Sequence, residues 1–130
     1  MSKDALGILK ELVSIPSVNP MGRDVSGPEF FEGRLSDYLV QFFEELGVEC
    51  QRIDVAPGRS NVIARVAVAG ATTTVLLDAH QDTVPVDGMT IDPFAATVTD
   101  GRLYGRGACD VKGGMAAMLA AFAQIGRAHV

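Results

Sequence analysis

The 130 residues include no tryptophan and two cysteines, Cys50 and Cys109. Two thiols are too few for a disulfide framework and fit a reducing compartment, so both are expected to pack as small apolar side chains. The chain also lacks an uninterrupted apolar run of about 18 residues, which excludes a simple membrane-spanning helix. The opening MSKDALGILKELVSI carries acids among its apolar residues and has no small-residue cleavage site. It does not read as a secretory signal, and a cytoplasmic location is expected. Basic residues are scarce as well: 11 Lys and Arg against 16 Asp and Glu leave a formal charge of -5 and a pI near 4.8. Without clustered cations to displace counterions, a nucleic-acid partner is excluded. Neither G-x-S-x-G nor G-K-[ST] occurs, which removes a serine-hydrolase elbow and a phosphate-binding P-loop.

What is present suits one soluble domain, with 48% hydrophobic and 21% charged residues. Leu6, Leu9, Leu12 and Val13 recur at helical spacing from Asp4 to Ile15, and the I-P-S-V-N-P run that follows ends the helix. Ser26 and Glu29 form an S-x-x-E capping pattern ahead of Phe31, Leu35, Tyr38, Leu39, Phe42 and Leu46, predicting a helix that stops at Gly47. Strands are predicted over Val48 to Val55, Asn61 to Val68 and Thr73 to Ala79, the last being the most apolar and so the most central. Ala96 to Tyr104 reads as a hairpin about Asp100-Gly101, and Gly113 to Gln124 as a small-residue helix. The alternation predicts an α/β domain with a mixed, mostly parallel sheet flanked by helices.

Two stretches carry the chemistry. In the first, LLDAHQDTVPVDG, an apolar run ends in Asp78, His80 and Asp82. In an extended chain residues two apart face the same side, so His80 and Asp82 share a cavity. His80 is cast as a ligand of a divalent cation, and Asp82 as the carboxylate that accepts its other ring N–H. In the second stretch, RLYGRGACDVKGGM, Asp110 stands among Gly105, Gly107, Gly113 and Gly114. Its two oxygens suffice to bridge two metal ions about 3.5–4 Å apart. Capping of the helix near Gly113 is compatible with that role. Lys112 is expected to be solvated, and Asp78 and Asp87 are assigned nothing.

LLDAHQDTVP followed by DGRLYGRGACDVKGGMAAML resembles the amino-terminal catalytic segment of the M20 metallopeptidase family, which includes acetylornithine deacetylase, succinyl-diaminopimelate desuccinylase, aminoacylases and glutamate carboxypeptidases. The resemblance implies that His80 is a first-metal ligand, Asp82 the active-site acid and Asp110 the metal-bridging carboxylate. It further implies two Zn2+ ions, with Co2+ an alternative, and hydrolysis of an amide in an N-acyl amino acid or small peptide by water, with a glutamate as general base. The family's paired glutamates, further carboxylate ligand and distal histidine have no counterpart here, nor has the second domain through which many members dimerise. Residues 1–124 are therefore expected to be the truncated amino-terminal part of a catalytic domain, inactive alone. Ile125 to Val130, IGRAHV, equals the translation of a common short-read sequencing adapter, so residues 125–130 are expected to be a non-native tail. The helix face of Met115, Met118, Leu119 and Phe122 is then expected to lie uncovered. The reading that competes is a non-catalytic binding domain that keeps the fold. A nucleotide site at GRGACD is disfavoured because Asp110 would repel phosphate.

Overall fold

Asp4 starts the first helix. Its carboxylate accepts the Gly7 N–H at 2.9 Å in the computed structural model, which describes residues 1–128 and the side chains through Ile125. Helix α1 spans Ala5–Ser14 and buries Ile8, Leu12 and Val13. Helix α2 spans Gly33–Glu45 and buries Leu35, Leu39, Phe42 and Phe43 on one face. It begins later than the capping pattern suggests, and Ser26 caps nothing. Residues 29–31 are drawn away from a helical start because Val18 N–H donates to Glu29 O at 2.8 Å and Phe31 N–H to Val18 O at 2.9 Å. Glu32, at the helix start, spends its carboxylate on Arg59 instead.

Helix α3, Gly113–Ala128, packs against both earlier helices. Met115 and Leu119 are 4% and 6% exposed, in one cluster with Ile8, Leu12, Leu39 and Phe42. Phe122 meets Phe43 edge-on at 5.4 Å, an arrangement worth about 0.5–1.5 kcal/mol beyond burial. The expectation of an uncovered α3 face is corrected for Met115, Leu119 and Phe122, which pack with α1 and α2, while Met118 is half-buried and outside that cluster. The expected tail starts within α3; His129 and Val130 lie outside the described residues.

The strands form two antiparallel hairpins. β1 (Glu49–Ala56) pairs with β2 (Arg59–Arg65) about Pro57-Gly58, and β3 (Thr97–Thr99) with β4 (Arg102–Tyr104) about Asp100-Gly101. The α/β class stands, whereas parallel pairing among the described residues is limited to isolated bridges from Val18 to Phe30 and to Thr83. Residues 73–79, expected at the centre, join no ladder among the described residues, and Val75 and Leu76 are 80% and 84% exposed. Hairpins close over short loops at small entropic cost, but an isolated extended segment needs a distant neighbour for its N–H and C=O groups. No described strand supplies one. Among the described residues no helix is long and apolar enough to cross a membrane.

Tyr38 links α2 to α1 by donating its hydroxyl to Glu11 Oε2 at 2.7 Å. Burial, followed by that bond and the charges of Glu11 and Glu45, raises its pKa above the ordinary 10.0. Above pH 10 the unfolded chain releases the phenol proton while the folded chain retains it, so this contribution falls as pH rises. Tyr38→Phe is expected to cost about 1 kcal/mol at neutral pH. In denaturant melts at increasing pH, its deficit relative to the parent sequence should shrink past pH 10; a constant gap would exclude the linkage.

Candidate metal centre

His80 and Asp82 do face the same way, and the turn Ala108–Lys112 brings Asp110 to them. His80 Nε2 lies 3.0 Å from Asp110 Oδ1, while His80 Nδ1 lies 2.9 Å from the Asp82 carbonyl oxygen and 3.2 Å from Asp82 Oδ1. Burial of the ring works to lower the His80 pKa. The Asp110 hydrogen bond, then the Asp82 carbonyl and both carboxylate charges, outweigh it and the net displacement is upward. With the side chains of His80 and Asp110 49% and 83% exposed, this pair adds little stability. Its significance is geometric: a nitrogen and a carboxylate converge, with an acceptor behind the other ring nitrogen.

The backbone explains the convergence. Thr83 N–H donates to Ser17 O at 2.9 Å and Asn19 N–H to Thr83 O at 2.8 Å, so the end of the histidine motif lies alongside the segment after α1. On the other side, Gly107 has φ 79°, and a Cβ there would stand 2.6 Å from Thr83 Cγ2. At Gly105 a Cβ would collide with Val13 Cγ1. These glycines let the second motif approach the first. Asp110 itself, at φ -116° and ψ 94°, leaves helical geometry and turns its carboxylate to His80 rather than capping α3.

His80, Asp82, Thr83, Arg106, Cys109 and Asp110 line a cleft of about 230 Å³. A larger depression of about 480 Å³ beside the β1–β2 turn is lined by Arg52 and Asp54, already near each other at 3.6 Å, and holds no histidine. Among the described residues no three of His, Cys, Asp and Glu converge as a closed metal cage. The residues that fit a divalent cation are two, His80 through Nε2 and Asp110 through its carboxylate, which match Zn2+ donor chemistry but not a full set.

Three neighbours were not legible in the motifs. Asn19 donates its amide to Asp82 Oδ2 at 2.8 Å, and Arg59, held by Glu32 at 2.6 Å, stands 4.0 Å from the same oxygen. Both come from segments read only as a helix stop and a turn. Lys112, expected in solvent, is 1% exposed and donates to Leu12 O at 2.9 Å and Ile15 O at 2.7 Å. Cys109, expected to pack, is exposed on the cleft because the turn projects it outward; Cys50 is half-buried against the core, and burial raises its thiol pKa. Asp87 pairs with Arg23 at the surface.

This pairing of an H-x-D segment with a glycine-flanked acid coincides with a family likeness. Residues 76–130 match the model described as Peptidase family M20/M25/M40. The succinyl-diaminopimelate desuccinylase of Cereibacter sphaeroides is 37% identical over 124 residues, covering 93% of this chain and 30% of that protein. That of Parvibaculum lavamentivorans is 36% identical over 131 residues, covering 95% and 30%. The crystal structure of human carnosine dipeptidase 1 superposes with a TM-score of 0.75 at 28% identity, covering 95% of this chain and 28% of that one. The chain is similar to the M20 peptidase family over residues 76–130 and spans about 30% of the length of the curated relatives it matches.

Proposed function

We propose that residues 1–124 are the amino-terminal part of the catalytic domain of a zinc-dependent amidohydrolase, with 125–130 a non-native tail. The parent hydrolyses the amide bond of an N-acyl amino acid or small peptide. The convergence of His80 Nε2 and Asp110 Oδ1 at 3.0 Å, with Asp82 at the other ring nitrogen, is the observation that carries this reading. Asp82 and its carbonyl accept from Nδ1–H, so Nε2, which faces Asp110 in the metal-free ring, would be the nitrogen given to a metal. Asn19 fixes the Asp82 carboxylate from its far side. Asp110 offers one oxygen toward His80, and its carboxylate would help hold the metal. Zinc, or cobalt in its place, would supply Lewis acidity toward an amide carbonyl and a water activated near neutral pH. The cleft residues contribute binding and orientation, and the general base comes from elsewhere in the parent. The names of the relatives favour a succinylated amino acid or a dipeptide among the substrates. The parent acts as a cytoplasmic homodimer without nucleic-acid or membrane partners. A non-catalytic domain would have no need of the His80 to Asp110 convergence.

Titration calorimetry with zinc is expected to show weak binding, because two protein ligands fall short of the three or four typical of zinc sites. Asp82→Asn should lower the affinity about 10–100-fold, and His80→Ala should abolish it. Zinc binding indifferent to His80→Ala would sink the assignment. The chain should hydrolyse neither N-succinyl nor N-acetyl amino acids, and metal-dependent turnover by these 130 residues would show the missing base to be dispensable.

A further inference from the structure

The middle residue of the H-x-D segment points away from the cleft and into the fold. Gln81 Nε2 donates to Ser60 O at 2.8 Å, its Oε1 accepts from Ser36 Oγ at 3.0 Å, and its carbonyl accepts from Ser17 Oγ at 2.7 Å. Ser17 and Ser36 are fully buried and Ser60 is 6% exposed. One residue thereby ties the segment to the stretch after α1, to α2 and to β2. The need for such a tie is visible in the backbone. Residues 73–79 upstream join no ladder among the described residues, so the segment has no sheet neighbour to fix its rotation before the bridge at Thr83. Because side chains alternate along extended backbone, fixing the Gln81 amide on one side fixes the direction of His80 and Asp82 on the other.

We propose that Gln81 is a positioning residue, whose half-buried amide sets the rotation of the segment that aims His80 and Asp82 into the cleft. The proposal rests on the metal-site reading above for its consequence, but its geometric content is independent of any metal. Loss of the amide leaves the Ser60 carbonyl and Ser36 hydroxyl only their long bond to each other at 3.4 Å and loosens the hold on the segment's rotation. A displacement of about 1 Å at a reacting centre is enough to cost about 10²-fold in rate.

The test uses the whole chain with His129→Gln, so that His80 is the sole imidazole of the two in the sequence. Ring nitrogen NMR of the metal-free protein reports the Nδ1 and Nε2 environments directly. Gln81→Met, which keeps length but removes the amide, is expected to shift both ring signals toward those of a free imidazole and to weaken zinc binding about 10-fold. A merely structural role predicts instead a lower melting temperature with unchanged ring signals in the folded protein, and that result overturns the proposal. Should Gln81→Met fail to fold, Ser36→Ala removes one of the same bonds with a smaller change; a folded Ser36→Ala chain with parental ring signals would also overturn it. Failure of the parent sequence to bind zinc, with the ring shifts present, would count against the metal site and leave the positioning role standing.

Discussion

Replacing Lys112 with alanine is expected to destabilise the chain by about 4 kcal/mol, most of the margin of a domain at the lower end of the usual range. The side chain is almost wholly buried, 1% exposed, and reaches past the glycine turn to the carbonyl oxygens of Leu12 and Ile15. These are the last acceptors of α1, where the helix dipole favours a cation. Burial pushes the ammonium pKa down to about 8, and no carboxylate pairs with it among the described residues. The two carbonyls therefore offset the desolvation, and alanine removes them together with most of the side-chain volume. Lys112→Met restores the volume but not the bonds, so about half the loss should return. Denaturant midpoints for the two variants measure this split. An alanine variant as stable as the parent sequence would mean that the lysine side chain does not stay buried in solution. Because Lys112 is the last residue of the turn that presents Asp110, the alanine variant should also lose the His80 to Asp110 contact, visible as a change in the His80 ring signals.

Lysine at this position shows why parts of the site were not legible in the sequence. Its partners stand 97 and 100 residues away, and nothing local marks a lysine between Val111 and Gly113 as interior. Asn19 and Arg59 are similar: each reaches Asp82 from a segment whose own pattern signals only a turn. The His80, Asp82 and Asp110 grouping was legible because extended alternation and glycine-flanked acids are local signals. The helices were legible for the same reason, since three- and four-residue spacing records which face is buried. Their mutual packing was not: of the α3 stripe predicted to be bare, Met115, Leu119 and Phe122 join one cluster with Ile8, Leu12, Phe42 and Phe43. The start of α2 was misplaced because tertiary pairing of residues 29–31 with Val18 overrides the local capping pattern.

The central-strand reading of residues 73–79 rested on apolar content, and that content now sits in solvent. Val75, Leu76 and Leu77 are 80%, 84% and 46% exposed on backbone that joins no ladder among the described residues. From Thr72 through Leu77 the segment has no charge and no proline, and it is rich in β-branched residues. Unpaired backbone beside such side chains is a template for edge-to-edge association. The chain is therefore expected to self-associate in a concentration-dependent manner through this segment. Leu76→Lys, which puts a charge on the most exposed of the three, should shift a light-scattering profile from oligomer toward monomer without moving the helical circular dichroism. Met118→Lys on α3 should not, because the core face of that helix, Met115, Leu119 and Phe122, already has its partners in α1 and α2. If Met118→Lys yields the folded monomer and Leu76→Lys does not, the adhesive surface lies on α3 and the three helices do not complete the core by themselves. Should both leave the oligomer intact, association runs through neither surface, and the hairpin face with Ile53, Val55 and Ile63, each at least 46% exposed, becomes the place to substitute next.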